Sequence, residues 1–199
     1  MSIYIIGTHN DGKLAEIARV LEPLGVACEK AESLGVYLSE PEETGTTFAE
    51  NARIKALAAM RESGYPAVGD DSGLMVDALD GRPGVYTARY GGGHDVPFSE
   101  KIPLLLAEME GVPPEKRTAR FVCAVCVAYP DGTLISAQGT VEGHIGFVPT
   151  GDNGFGFDPI FYIGARSFAE YSDAEKDAVS HRGRALRSLA EKIRQERKE

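Results

Sequence analysis

Hydrophobic positions along this chain switch between two periods. The opening SIYIIG is a short, continuous apolar run and predicts a strand. From Lys13 to Leu24, the residues Leu14, Ile17, Ala18, Leu21 and Leu24 fall at helical spacing, so a helix follows, with Gly25 as its C-cap. Residues 35–46 are polar and turn-rich. Thr47 and Glu50 form a capping box for a second helix that runs to about Glu62. Tyr65 to Val68 reads as a brief apolar strand ending in GDDSG, which places Asp70, Asp71, Ser72 and Gly73 after the strand and before a turn. DGRPGVYTARYGGG is a second turn-rich stretch, and residues 99–110 follow as a helix.

The second half opens with a predicted hairpin. Its arms are Ala119 to Tyr129 and Thr133 to Glu142, around the turn Pro130-Asp131-Gly132. GDNGFGFDP is a glycine-rich loop leading into the short apolar IFYI. Ser172 and Glu175 form another capping box, opening a short helix. Ser180 precedes a last helix in which Ala185, Leu186, Leu189 and Ile193 share a face. Mixed strands and helices predict an α/β fold with a mixed central sheet flanked by helices. The 199 residues suffice for one well-buried core, read here as a single domain over 1–199, with two lobes sharing one sheet as the other arrangement.

Composition narrows the partners. At 43% hydrophobic residues the chain is expected to pack as a globular protein. No apolar run approaches the roughly 18 residues that span a bilayer, and MSIYIIGTHN lacks the basic start and cleavage site of a signal peptide. A cytoplasmic location is the expectation. The formal net charge of −9 argues against a nucleic-acid polymer, which needs a basic stripe. The one basic run, Arg182 to Lys198, is interrupted by Glu191 and Glu196 and followed by Glu199. Cys123 and Cys126 form a CxxC pair, but FVCAVCVAYP reads as a buried strand, in which an offset of three points the thiols to opposite faces. They are expected to be plain core cysteines, not a redox or zinc pair.

Four segments carry candidate chemistry. Gly7 and Gly12-Lys13 match the G-x-x-x-x-G-K spacing of a P-loop, yet Leu14 stands where that motif needs a metal-binding Ser or Thr. Backbone N–H groups at a helix start beside Lys13 still make an anion site, and an ordinary strand–helix turn with a surface lysine is the alternative. Asp70-Asp71 brings two carboxylates together, a costly arrangement unless a cation is near; Glu42-Glu43 offers a further ligand for a magnesium ion, and a solvated acidic turn is the plain alternative. Phe155 and Phe157, in a glycine-rich loop, could stack on a base or pack the turn itself, with Asp158 as an acceptor. Lys176, His181 and Arg182 gather donors near one helix start, suited to phosphate or carbonyl oxygens or simply to solvent. As a set they suit a nucleotide with magnesium.

With these segments in order, the chain resembles the inosine-triphosphate pyrophosphatase family, the non-standard purine NTP pyrophosphatases. The resemblance is carried by THNDGK at 8–13, EETGTTFAENARIKA at 42–56, GDDSGL at 69–74, PGVYTARY at 83–90, GFGFDPIF at 154–161 and KDAVSHRGRAL at 176–186. It implies hydrolysis of ITP, dITP and XTP to the monophosphate and pyrophosphate, Mg2+ as cofactor, a two-lobed α/β fold with a substrate cleft, and a homodimer. It also implies roles. Thr8, His9, Asn10, Asp11, Gly12, Lys13 and Lys55 would hold the triphosphate. Glu43 and Asp71 would serve the metal, Asp71 would also be the catalytic base, and Ser72 would touch the substrate. Phe155, Gly156, Phe157, Asp158, Lys176, His181 and Arg182 would enclose sugar and base. Two positions depart from the family: His9 stands where it usually has Gly, and Phe157 where it often has Tyr.

The expected chemistry is in-line attack of water on the α-phosphorus, with Asp71 orienting or deprotonating the water. Lys176, His181 and Arg182, as donors, would favour a 6-keto purine over adenine. Rival readings are a pyrophosphatase of modified pyrimidine triphosphates, a P-loop-like kinase or NTPase, and a non-catalytic nucleotide-binding module.

Overall fold

The computed structural model describes residues 3–196; Ser2 of the predicted first strand, and Lys198 and Glu199 of the C-terminal charged run, lie outside the described residues. Among the described residues seven strands form one sheet: β1 Ile3–Ile6, β2 Ala27–Glu29, β3 Ala67–Val76, β4 Thr118–Ala128, β5 Leu134–Ile145, β6 Phe161–Ile163 and β7 Arg166–Ser167, in the order β2-β1-β3-β4-β5-β6-β7. β1 pairs in parallel with β2 and β3, while β5–β6 and β6–β7 are antiparallel. The expected mixed sheet is therefore found. The helices are α1 Asp11–Leu21, α2 Phe48–Ser63, α3 Phe98–Glu108, α4 Asp173–Val179 and α5 His181–Glu196. No described helix is long and apolar enough to cross a membrane.

The chain divides into two compact units. The first holds residues 1–71, 123–139 and 181–199; the second holds 72–122 and 140–180. β3, β4 and β5 each pass from one unit into the other along their length.

In the first unit, β1, the start of β3, the end of β4 and the start of β5 pack against α1 and α5. Ile17 and Leu21 of α1 meet Ala185, Leu186, Leu189 and Ile193 of α5 in one buried cluster with Tyr4, Val68 and Val125. A fully buried Leu or Ile side chain contributes about 1.5–3 kcal/mol. The predicted α5 face is thus the core face. Gly139 lets the helix approach: a Cβ there would lie 2.2 Å from the His181 carbonyl oxygen and 2.6 Å from the Ala185 nitrogen. α2 packs separately and just as closely. Its buried residues include Ala52, Ala56 and Ala59, and a Cβ on Gly69 of β3 would meet the Ala52 carbonyl oxygen at 2.3 Å. The second unit has its own core, in which Leu74, Leu105, Phe121, Phe157, Phe161 and Phe168 are buried.

Caps fall where the local sequence places them. Thr47 and Glu50 complete a capping box on α2, and Ser172 and Glu175 complete one on α4. Gly25 ends the first helical stretch at φ 83°, although its last turn, Glu22–Leu24, tightens into a 3-10 helix around Pro23. Cys123 and Cys126 are buried free thiols on β4, as expected. One expectation fails. Asp70-Asp71-Ser72-Gly73 is not a turn after a short strand; it lies inside β3, a ten-residue strand.

Candidate active site

Parallel pairing explains how the site assembles. The register Ile5↔Ala67 and Ile6↔Val68 carries β3 past the end of β1. The loop leaving β1 therefore comes level with Asp70 and Asp71, at the carboxyl end of a strand, where open α/β sheets bind ligands. That loop enters α1 through Asn10, whose side-chain oxygen accepts the Lys13 backbone N–H at 3.0 Å. Thr8 Oγ1 accepts the Asn10 N–H at 3.2 Å. His9 is exposed, and Asp11 is drawn off to Lys30 at 3.4 Å. Leu14, in place of a P-loop hydroxyl, packs against the first core cluster.

Consecutive strand residues face opposite ways, so the two aspartates work apart. Asp70 is buried and meets Lys13 Nζ at 3.0 Å and the Arg182 guanidinium at 3.5 Å; Arg182, itself buried at the start of α5, is also paired with Glu16 of α1. Asp71 turns to α2. Its Oδ1 accepts from Lys55 Nζ at 3.0 Å and its Oδ2 from the Asn51 amide at 3.3 Å. Lys55 Nζ also lies 2.5 Å from Glu43 Oε1. Of the acidic pair before α2, then, Glu43 joins the site and Glu42 is exposed. The strand tolerates two carboxylates because each has its own cation, supplied from elements far away in sequence.

The environments separate the two carboxyls. Burial alone would raise Asp70, but Lys13 and Arg182 outweigh it and hold it at about 2. Asp71 is shifted the other way: burial raises it, with Glu43 adding to the rise, and Lys55 and Lys13 offset only part. Lys55 stays charged, since Asp71, Asp70 and Glu43 overcome its own desolvation. A carboxylate held well below the usual range beside one with raised proton affinity matches the pattern of a fixed anion next to a candidate general base.

The second unit holds the remaining segments. Asp158 is buried; its Oδ2 accepts from Lys176 Nζ at 2.6 Å and from the Phe155 N–H at 2.8 Å. Gly154, at φ 73°, must be glycine, because a Cβ would lie 2.2 Å from that same oxygen. Lys176 Nζ sits 4.6 Å from the centre of the Phe155 ring. Phe157 is a core residue, with its ring edge-on to Phe98 and Tyr90. Gly156 separates the two rings at φ 70°. Ser72 is half-buried on β3, and His181 is buried at the first position of α5. The donors expected around one helix start are thus divided: Lys176 belongs to α4 and Asp158, Arg182 to Asp70 and Glu16. Sequence reasoning missed Asn51 and Glu16. Asn51 carried a signal, being a polar residue on the same α2 stripe as Phe48, Ala52 and Ala59.

Fold and site together define an α/β protein whose paired acids and lysines collect where β1 ends beside the middle of its parallel neighbour β3. The chain belongs to the Ham1 family, which it matches over residues 4–192. A dITP/XTP pyrophosphatase of Exiguobacterium sp. is 49% identical, over 95% of each chain. Among solved structures, a HAM1 protein from Coxiella burnetii is 37% identical with a TM-score of 0.86, covering 98% of this chain and 100% of its own. A nucleoside-triphosphatase, dITP/XTP pyrophosphatase, from Mycobacterium abscessus is 42% identical with a TM-score of 0.72, covering 94% and 97%. The family resemblance carried by the motifs is borne out.

Proposed function

We propose that this protein hydrolyses non-standard purine nucleoside triphosphates, ITP, dITP and XTP, to the nucleoside monophosphate and pyrophosphate, clearing deaminated purines from the nucleotide pool. The observation that carries the reading is Asp71: a buried carboxylate of raised proton affinity, held by Lys55 beside Glu43, in a chain 49% identical to a dITP/XTP pyrophosphatase. The reaction follows from its surroundings. Asp71 orients a water and takes its proton as the water oxygen attacks the α-phosphorus. The bond from that phosphorus to the bridging oxygen breaks, and its electron pair leaves with pyrophosphate. Lys13 and Lys55 bind the phosphates and offset the charge that develops.

Glu43 and Asp71 fit a magnesium ion. Both already hold one shared cation, Lys55. Four carboxylates (Glu16, Glu43, Asp70, Asp71) against three cations (Lys13, Lys55, Arg182) leave one formal negative charge. Among the described residues no group of three or more His, Cys, Asp or Glu forms a metal cage; magnesium needs only one or two carboxylates, completing its shell with water and phosphate. When bound, the ion supplies charge compensation to the triphosphate. Selection against adenine is assigned to Lys176, His181 and Arg182, whose donors match a 6-keto oxygen. The same reading takes the enzyme as a cytoplasmic homodimer, checked by sedimentation.

The test is Asp71→Asn. It keeps the shape and removes the base, and kcat should fall by about 10²-fold or more. Turnover near that of the wild type would refute the assignment.

A further inference from the structure

Asn51 is fully buried on α2, one helical turn ahead of Lys55. Its two polar ends have different partners. The side-chain oxygen accepts the Gly45 backbone N–H at 2.8 Å, and the amide nitrogen donates to Asp71 Oδ2 at 3.3 Å. An amide oxygen only accepts and an amide nitrogen only donates. Turned over, Asn51 would set its oxygen against a carboxylate and its NH2 against an N–H. The Gly45 bond therefore decides which end faces Asp71.

The approach of the loop is equally specific. A Cβ at Gly45 would lie 2.5 Å from Asn51 Oδ1 and 2.7 Å from Glu50 Cβ, so only glycine brings this backbone to the amide. Gly45 lies two residues after Glu43. One side chain thus ties the Glu43 loop, α2 and the Asp71 carboxylate together. With Lys55 on Oδ1 and Asn51 on Oδ2, both Asp71 oxygens are held from a single helix, at positions four apart on one face.

We propose that Asn51 is a positioning residue for the reaction: it fixes the rotation of the Asp71 carboxylate and holds the Glu43 loop in register with it. The role in turnover rests on reading Asp71 as the base. A merely structural Asn51 would serve Gly45 alone, and Asn51→Asp separates the two, because it keeps an acceptor for the Gly45 N–H and removes the donor to Asp71.

Wild type, N51D and N51A are compared for pyrophosphate release from dITP and for thermal unfolding. In N51D, kcat should fall about 10- to 100-fold, the size of a lost hydrogen bond to a charged group. KM should stay within about threefold, since uniform binding is untouched, and the unfolding midpoint should fall, because the new carboxyl oxygen is set against Asp71 in a buried site. Wild-type kcat in N51D, or a loss confined to KM, overturns the proposal. If N51D does not fold, the same split read on N51A decides. A second readout is independent of turnover. The Asn51 side-chain amide protons, assigned by their absence in N51D, should exchange slowly with solvent and shift in D71N. Fast exchange, or no shift, overturns the bond itself. Absent pyrophosphate release from wild type with these amide signatures intact would sink the activity and leave the contact standing.

Discussion

At the scale of single residues, the meaning of adjacent aspartates is set by what each side of the strand offers. Asp70 faces Lys13 and Arg182 and has no exposed path, so it acts as a fixed anion that aims Lys13. Its proton affinity is lowered from the ordinary 3.8 to about 2 in the folded protein. A lowered carboxyl stabilises the fold above its unfolded value, and that contribution is lost as pH falls. Acid unfolding should therefore draw on Asp70 between about pH 4 and pH 2. Asp70→Asn should lose that part of the pH dependence. At neutral pH it should cost about 3 kcal/mol or more, because it leaves buried cations undercompensated. Denaturant melts of both proteins across this pH range check it, and equal stability at pH 7 would contradict it.

At the scale of elements, the placement of α2 depends on a glycine beneath it. Gly69 of β3 sits under Ala52 and Ala56, with backbone atoms 2.3 and 2.4 Å from where a Cβ would be. Gly69→Ala must push α2 outward, and α2 carries Asn51 and Lys55. Overpacking of this kind costs about 1–3 kcal/mol. Activity should fall by more than stability explains, because both holders of Asp71 move with the helix. Chemical denaturation with steady-state rates tests this, and a fully active G69A would contradict it. These elements were partly legible in the sequence. The capping boxes at Thr47 and Ser172, the α5 face and the β4–β5 hairpin are local signals, and the structure has them. The DDSG strand was not legible. Two aspartates break the apolar pattern locally, and the charges that allow them come from Lys13, Lys55 and Arg182, up to 112 residues away. Phe157 was open between base stacking and packing in the sequence, because Phe98 and Tyr90, which its ring packs against, lie far from it along the chain.

At the scale of the whole molecule, the segments that carried the family resemblance fall on two compact units. The first brings together Lys13, Glu43, Lys55, Asp70, Asp71 and Arg182 in linked ion pairs. The second holds the buried Asp158–Lys176 ion pair beneath the half-buried Phe155 ring. Arg182, which the resemblance places at the base, is paired with Asp70 and Glu16. The proposed selection for a 6-keto purine predicts a kcat/KM for ITP above that for ATP by about 10²-fold or more. Equal values for the two would refute the base-selection reading.

The central claim is cleavage at the α-phosphorus, and product identity tests it most directly. Incubated with dITP and magnesium, the protein should release pyrophosphate and dIMP in equal amounts, with no dIDP. Orthophosphate together with dIDP would contradict it, as would nucleotide bound under saturating conditions without turnover.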